Sequence, residues 1–218
     1  MDTSYEQSRE FVFFVDALKY SFSAADRYYK SVQSSLTELE KSGISQIQEN
    51  QIVPIISDAW SMIDSAHRIR ELIQQAPKLK KNSSEIQVFI RTTKEVEDLR
   101  HYVQHLRKGI YSLPEQSTPI WGVLSWVSST EEKTSFTIIS GTPRKDVSVY
   151  SCAYDTLNNK FAQKLILSVN NQRVDMFSLN QRIQALLKFV KQWAEKKGYD
   201  FGNRKIPVFT FRVQTPSA

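Results

Sequence analysis

The chain has 218 residues, of which 40% are hydrophobic and 24% are charged, and its formal net charge is +6 at pH 7. This length supports one large domain or two small ones with a substantial core. The composition is typical of a soluble globular protein, and the positive charge mildly favours an anionic partner. With Cys152 as its only cysteine, the chain can form neither an internal disulfide nor a cysteine-based zinc site.

Three further features predict the cellular setting of the protein. No apolar run reaches the roughly 18 residues that a membrane-spanning helix needs. The start, MDTSYEQSRE, lacks the basic and apolar regions of a signal peptide. Because Cys152 lies in an alternating apolar run, it is interpreted as a small buried strand residue. We therefore expect a reduced, cytoplasmic setting and no membrane partner.

The first half of the chain has helical periodicity. Apolar residues recur at steps of three and four over residues 11–39, which predicts one long helix that ends at residues 41–43. A second pattern covers residues 52–75 and places Pro54 in the first turn, where its missing N–H costs little. Residues 44–51 are consistent with a short additional helix.

A third helical pattern covers residues 86–110, with an N-cap at residues 83–84 and an end marked by Gly109 and Pro114. Three helices joined by short or medium loops predict an up-down bundle. We assign this bundle to residues 1–113.

After Pro119 the sequence consists of short segments rich in β-branched and aromatic residues, which predict strands. These segments are IWGVLSWV (120–127), TSFTIISG (134–141), VSVYSCAY (147–154), KLILSV (164–169) and VFTFRV (208–213). The pair Asn170–Asn171 tolerates positive φ and predicts a hairpin tip.

A fourth helix is predicted over residues 178–197, with Ser178 and Gln181 as a capping box and Gly198 as the stop. The predicted fold class is therefore α+β: an N-terminal up-down α-helical bundle followed by an antiparallel β-sheet region, residues 114–218, that carries one helix. Whether the two halves are separate domains or share one core stays open at this point.

The segment DLRHYVQHL, residues 98–106, places Arg100, His101 and His105 on the third helix. Residues four apart are neighbours on a helix, so the two histidines share a face, and Glu97 lies one turn earlier on that face. Arg100 and His105 are about 140° apart around the helix axis. Both side chains can still reach one polar groove, because arginine is long.

Three interpretations of this cluster are open. The first is a solvated helix face with a Glu97–His101 pair. The second is a metal site formed by Glu97, His101 and His105, although the H-E-x-x-H signature is absent. The third is metal-free RNA cleavage, in which a histidine transfers protons near neutral pH and an arginine stabilises the charge that develops on the phosphate.

The segment RHYVQH, residues 100–105, resembles the R-x4-6-H motif of HEPN-domain ribonucleases, which lies on a late helix of an α bundle. The resemblance covers residues 1–113. It implies that Arg100 and His105 are the catalytic pair, and that His101 supports them or contacts the substrate. It further implies an active groove at a homodimer interface, no metal or other cofactor, and 2′-hydroxyl attack that leaves a cyclic phosphate.

The second helix carries further candidates in SDAWSMIDSAHRIREL, residues 57–72. Asp64 and Arg68 are four residues apart and can form an ion pair. Asp64 can alternatively orient Arg100 or His105 across the bundle. Asp64 and Arg68 are therefore candidate supporting residues, either for a structural salt bridge or for a site.

Two functions are consistent with these features. The first is a HEPN-like, metal-independent endoribonuclease that acts as a homodimer on RNA. The second is a non-catalytic scaffold that binds a protein or an RNA partner. The sequence has no Walker A motif, no G-x-G-x-x-G and no G-x-S-x-G, so it gives no support to nucleotide-dependent enzymes or α/β-hydrolases.

Overall fold

The computed structural model describes residues 9–43, 47–111, 119–142 and 149–202. Its helices are α1 (Arg9–Ser42), α2 (Glu49–Gln75), α3 (Ser84–Thr92), α4 (Lys94–Gln104), α5 (Leu106–Tyr111) and α6 (Met176–Lys196). Its strands are β1 (Val123–Val127), β2 (Ser135–Ile139), β3 (Tyr154–Asp155), β4 (Lys160–Phe161), β5 (Leu165–Val169) and β6 (Gln172–Asp175). The α+β class is confirmed: long helices come first, and an antiparallel sheet with a C-terminal helix follows.

The first two helices lie side by side, and their ends differ in how well the sequence predicts them. α1 ends as expected, with Gly43 at a φ of +91°. α2 begins at Glu49, three residues earlier than predicted, so Pro54 lies in the second turn and not the first. The backbone N–H of Gln48 donates to Gln51 Oε1 at 2.9 Å and fixes this earlier start. Of the additional helix predicted over residues 44–51, residues 44–46 lie outside the described chain and residues 49–51 belong to α2.

The third predicted helix is divided into α3, α4 and α5, and this is a correction. At the first break, Nη1 of the buried Arg70 donates to Ile90 O at 2.6 Å and to Thr93 Oγ1 at 2.5 Å. In a continuous helix Ile90 O would accept from the backbone N–H four residues later. Arg70 occupies this acceptor, so the ladder is interrupted at Thr93. The second break lies at His105.

Four strands form an antiparallel sheet in the order β2–β1–β5–β6, and β3 pairs with β4 in a separate two-stranded sheet. Every residue of β5 is buried, so both faces of the sheet are covered at its centre. The predicted hairpin tip between β5 and β6 is confirmed, with Asn170 at a φ of +52°.

Two of the predicted strands have a different outcome. Most of VSVYSCAY is not a strand: Cys152 is buried, as expected, but its backbone N–H donates to the Ser125 hydroxyl and not to a strand partner. Of the described residues of that segment, 149–154, Tyr154 alone joins a ladder, and residues 147–148 lie outside the described chain. The segment VFTFRV lies outside the described residues.

α6 begins at Met176, two residues before the predicted start, and Asp175 is its N-cap. The Asp175 side chain accepts from the backbone N–H groups of Phe177 and Ser178. The expected capping box at Ser178 and Gln181 is therefore wrong, because Asp175 is the N-cap and Ser178 already lies inside the first turn of the helix. Gly198, at a φ of +79°, follows the helix end as predicted.

One continuous hydrophobic core includes residues of both halves of the chain. α6 packs against α1 and α3, and α4 packs against β6. The sheet region thereby fixes the position of α4 relative to α2, which matters for the site described next. Among the described helices, none combines the length and the apolar character that crossing a membrane would require.

Candidate functional site

A cavity of about 720 Å³ lies along α2, between α1 and α4. We call it the α2 groove. α2 contributes residues from Ile52 to Arg68, α1 contributes residues from Tyr20 to Tyr28, and α4 contributes Arg100 and Val103. Trp121 and Ser140, which flank strands β1 and β2, complete the lining. The groove exists because α2 packs against both α1 and α4.

One end of the α2 groove holds a carboxylate shared by two arginines. Asp64 Oδ2 lies 2.8 Å from Arg68 Nε, and Asp64 Oδ1 lies 2.8 Å from Arg100 Nε. The Asp64–Arg68 pair is the one that the spacing on α2 predicts. The contact to Arg100 crosses from α2 to α4, as in the alternative in which Asp64 orients Arg100.

The geometry leaves hydrogen-bonding capacity on both guanidinium groups. Arg68 Nε donates to Asp64, whereas the N–H of Arg100 Nε is not aimed at the carboxylate and has no acceptor among the described residues. A guanidinium carries five N–H donors in a fork that matches phosphate and carboxylate oxygens. Asp64 therefore fixes the Arg68 fork by a hydrogen bond and contacts the Arg100 guanidinium only as an ion pair. The Nη groups of both arginines are the donors that an anion could use.

Aromatic side chains form part of the remaining groove surface. Tyr20 is 67% exposed and Trp121 is 48% exposed, although both are large and partly apolar. Trp60 Nε1 donates to the backbone oxygen of Trp121 at 3.1 Å, and the Trp60 ring stacks on Tyr102 at a centroid distance of 6.4 Å. Exposed aromatic faces beside fixed arginines are suited to a planar ligand that carries an anionic group.

A tight turn places Trp121 at the rim of the α2 groove. The backbone N–H of Gly122 donates to Pro119 O at 2.9 Å, and Gly122 has a φ of +82°. A Cβ atom at this position would lie 2.4 Å from Ser168 O, so only glycine fits. The Tyr102 hydroxyl donates to Ile120 O at 2.9 Å and holds the same turn against α4.

The structure separates Arg100 from the histidines of the predicted motif. His101 and His105 are exposed, and their ring centroids lie 4.3 Å apart, as expected for neighbours on one face. Neither histidine is among the residues that line the α2 groove, whereas Arg100 is. Within one chain, Arg100 is therefore brought to Asp64 and Arg68, and His105 is not part of that group.

Glu97 has a partner that the sequence did not predict. Its carboxylate lies 2.7 Å from Nη2 of Arg70, which is buried, and not in the expected pair with His101. Within the described ranges, no group of three or more His, Cys, Asp and Glu side chains is arranged to hold a metal ion. The metal site proposed for Glu97, His101 and His105 is therefore not formed.

The thiol of Cys152 is not prepared for nucleophilic chemistry. Burial raises the pKa of this thiol, so the unreactive protonated form is favoured. The Cys152 Sγ–H donates to Ser125 O at 3.5 Å. This agrees with the interpretation of Cys152 as a small buried residue of the core.

The aromatic part of the groove could be found only partly from the sequence. Trp60, Asp64 and Arg68 recur at steps of four, which indicates a shared helix face. Trp121 lies in the apolar run IWGVLSWV, which predicts a strand and gives no sign that this side chain is exposed. The turn at Gly122 is what exposes it, and a turn of this kind depends on contact with a distant strand.

Comparisons with protein-family models, with curated proteins and with solved structures gave no match. The resemblance to HEPN-domain ribonucleases therefore rests on residues 100–105 and on the order of the helices. It stays a prediction.

Proposed function

We propose that the chain is a non-catalytic module that binds single-stranded RNA in the α2 groove. The observation that carries the proposal is the pair of guanidinium groups, Arg68 and Arg100, which both contact Asp64 beside exposed aromatic residues. Arginine forks recognise phosphate, and aromatic faces stack on unpaired bases. The net charge of +6 adds a weak general attraction for a polyanion.

Single-stranded RNA fits the α2 groove better than duplex RNA does. The exposed rings of Tyr20 and Trp121 can stack only on bases that are free of a partner strand. A duplex would present its phosphates and hydroxyls to these rings and would leave their apolar faces uncovered. The partner that uses both the arginines and the aromatic residues is therefore an unpaired strand.

Cleavage of RNA is the second candidate, and one observation favours it. His101 and His105 are exposed with their rings 4.3 Å apart; His101 directly follows Arg100 on α4, and His105 is the C-cap of that helix. Accessible imidazoles of this kind are the side chains that most often transfer protons in such reactions. In this candidate a homodimer would bring the histidines of one copy to the arginine of the other.

The test measures fluorescence anisotropy of a labelled single-stranded RNA of about 10 nucleotides, a length within the usual site size of such proteins. We expect Arg100→Ala to weaken binding at least tenfold, because charge-assisted hydrogen bonds contribute about 1.5–3 kcal/mol each. Trp121→Ala should weaken it at least fivefold through lost stacking. The control is Arg91→Ala, an exposed cation of α3 outside the groove, which should bind as the wild type does.

Two results would overturn the proposal. One is a wild-type protein that does not bind this RNA at low salt. The other is an Arg100→Ala variant with wild-type affinity. Gel analysis of the same mixtures in EDTA reports on the second candidate, since metal-free cleavage that requires both Arg100 and His105 would establish an endoribonuclease.

A further inference from the structure

The charged residues of the α2 groove are confined to one end. Asp64, Arg68 and Arg100 are the charged members of its lining. From Ile52 to Arg68 the α2 helix extends for about 24 Å. Before Asp64, the α2 part of this surface consists of aliphatic side chains, Trp60 and serines.

This distribution of charged residues does not suit an RNA strand that runs through the whole groove. Every internal nucleotide carries a phosphate, and affinity for a strand bound along its length comes largely from the cations that neutralise these phosphates. One helical turn beyond Arg68 the surface continues into a second cavity, whose lining includes Glu71. A strand that continued past Arg68 would meet this carboxylate.

We infer, on the basis of the proposed function, that the α2 groove binds the end of an RNA strand. A terminal phosphate is bound by the Nη groups of Arg68 and Arg100, on the side of each guanidinium group that Asp64 does not occupy. The adjoining nucleotides contact Tyr20 and Trp121. A terminal phosphomonoester carries a charge of about −1.5 to −2 near pH 7, which exceeds that of an internal phosphodiester. Two arginine forks are suited to its additional charge and its additional free oxygen atoms.

The position of Arg27 provides an internal control. Its guanidinium carbon lies 4.9 Å from the ring centre of Tyr28, which lines the groove, but Arg27 is not a lining residue itself. Ser31 of α1 donates to Asp58 of α2, so Tyr28, about one turn before Ser31, lies on the side of the groove away from Arg68. A strand that passed along the full groove would bring a phosphate near Arg27, whereas a strand bound by its end would not need this cation.

The experiment uses three RNAs of one sequence, with a 5′-phosphate, with a 3′-phosphate, or with hydroxyl groups at both ends. We expect one phosphorylated form to bind at least tenfold more tightly than the hydroxyl form. This preference should be lost in Arg68→Ala and be reduced in Arg68→Lys, which keeps the charge without the fork. It should persist in Arg27→Ala. Arg68 is 64% exposed on its side chain, so these variants should fold, and circular dichroism verifies this.

The salt dependence gives a second readout. For single strands, log K falls with log salt concentration with a slope of about −0.7 per neutralised phosphate. If only the end of the strand is bound, the slopes for the phosphorylated and the hydroxyl RNA should differ by about −1. A strand held at five phosphates would give about −3.5 by the same relation.

Equal affinities for the three RNAs would overturn the inference, as would a phosphate preference that survives Arg68→Ala. Neither of these two results would contradict the proposal that the α2 groove binds RNA. Absence of binding for all three RNAs would instead overturn the proposed function, and the inference with it.

Discussion

Arg100 of α4 and Asp64 of α2 are in contact across two helices, with 2.8 Å between Arg100 Nε and Asp64 Oδ1. This contact assigns Arg100 to the α2 groove. His105, five residues further along, lies with His101 outside the groove lining. The short motif that contains Arg100 and His105 is therefore divided between two surfaces of one chain.

The Arg100–Asp64 contact should contribute little to stability. The side chains are 28% and 29% exposed, and ion pairs of this kind usually contribute about 0–1 kcal/mol. We expect Arg100→Ala to change the free energy of unfolding by less than about 1 kcal/mol, measured by urea denaturation. A loss above about 2 kcal/mol would show that Arg100 has a structural role. The presence of Arg100 in the groove would then not indicate that it binds a ligand.

His105 should not contribute to RNA affinity if binding occurs in the α2 groove. We expect His105→Ala to bind the labelled RNA within twofold of the wild type, because this side chain is exposed and lies outside the groove lining. The matched comparison is Arg100→Ala, which should lose affinity. A large loss of binding in His105→Ala would place the RNA on the histidine face of α4 and favour the cleavage candidate.

Glu40 connects the end of α1 to the sheet. Its carboxylate accepts from Trp126 Nε1 at 2.7 Å, from Ser128 Oγ at 3.1 Å and from the Ser129 backbone N–H at 2.9 Å. Burial alone would raise the pKa of this carboxyl, but these hydrogen bonds outweigh burial and lower the pKa below its ordinary value. The ionised form of Glu40 is thus the form that the fold stabilises.

This shift predicts a pH-dependent contribution to stability. A lowered pKa in the folded state means that the stabilisation is present above the unfolded-state pKa. It declines as the pH falls below the ordinary value of 4.5 and is lost once the pH has passed through the lower folded value. At pH 7 Glu40→Gln should lose about 1–3 kcal/mol in urea denaturation.

The comparison of wild type and Glu40→Gln should therefore be repeated across the acid range. The difference between the two proteins should shrink as the pH falls. A difference that is constant from pH 7 down to pH 3 would show that the charge of Glu40 does not contribute. Glu38→Gln, at an exposed position of the same helix, is the matched control.

Gly122 should be intolerant of substitution. A Cβ atom there would lie 2.4 Å from Ser168 O, and the φ of +82° is unfavourable for other residues. We expect Gly122→Ala to destabilise the fold by more than about 1 kcal/mol and to weaken RNA binding by displacing Trp121. Gly43→Ala is the informative comparison, since no atom lies within 4 Å of its Cβ position, and it should leave RNA binding unchanged. Equal RNA affinities of Gly122→Ala and the wild type would contradict the role given to this turn.

The sequence predicted best those elements whose pattern is set locally. α1 follows from regular apolar spacing, and the β5–β6 hairpin follows from two asparagines between apolar strands. The Asp64–Arg68 pair follows in the same way from a spacing of four on one helix. Each of these features depends on residues that are close together in the chain.

What the sequence did not predict depends on distant contacts. The break at Thr93 arises because Arg70, on another helix, takes the carbonyl oxygen of Ile90. Glu97 of α4 pairs with the same Arg70 of α2, a contact between distant residues that no local pattern indicates. The groove itself is created by the packing of α1, α2 and α4, and no local pattern marks a space between three helices.

The most direct test of the central claim is to locate the RNA on the protein. A single-stranded RNA that carries 4-thiouridine next to its terminal phosphate is cross-linked by light, and the attached peptides are identified by mass spectrometry. We predict cross-links at Tyr20 and Trp121, lost when Arg68 and Arg100 are both replaced by alanine. Cross-links confined to the β3–β4 hairpin or to the exposed face of α6, with none in the α2 groove, would contradict this account.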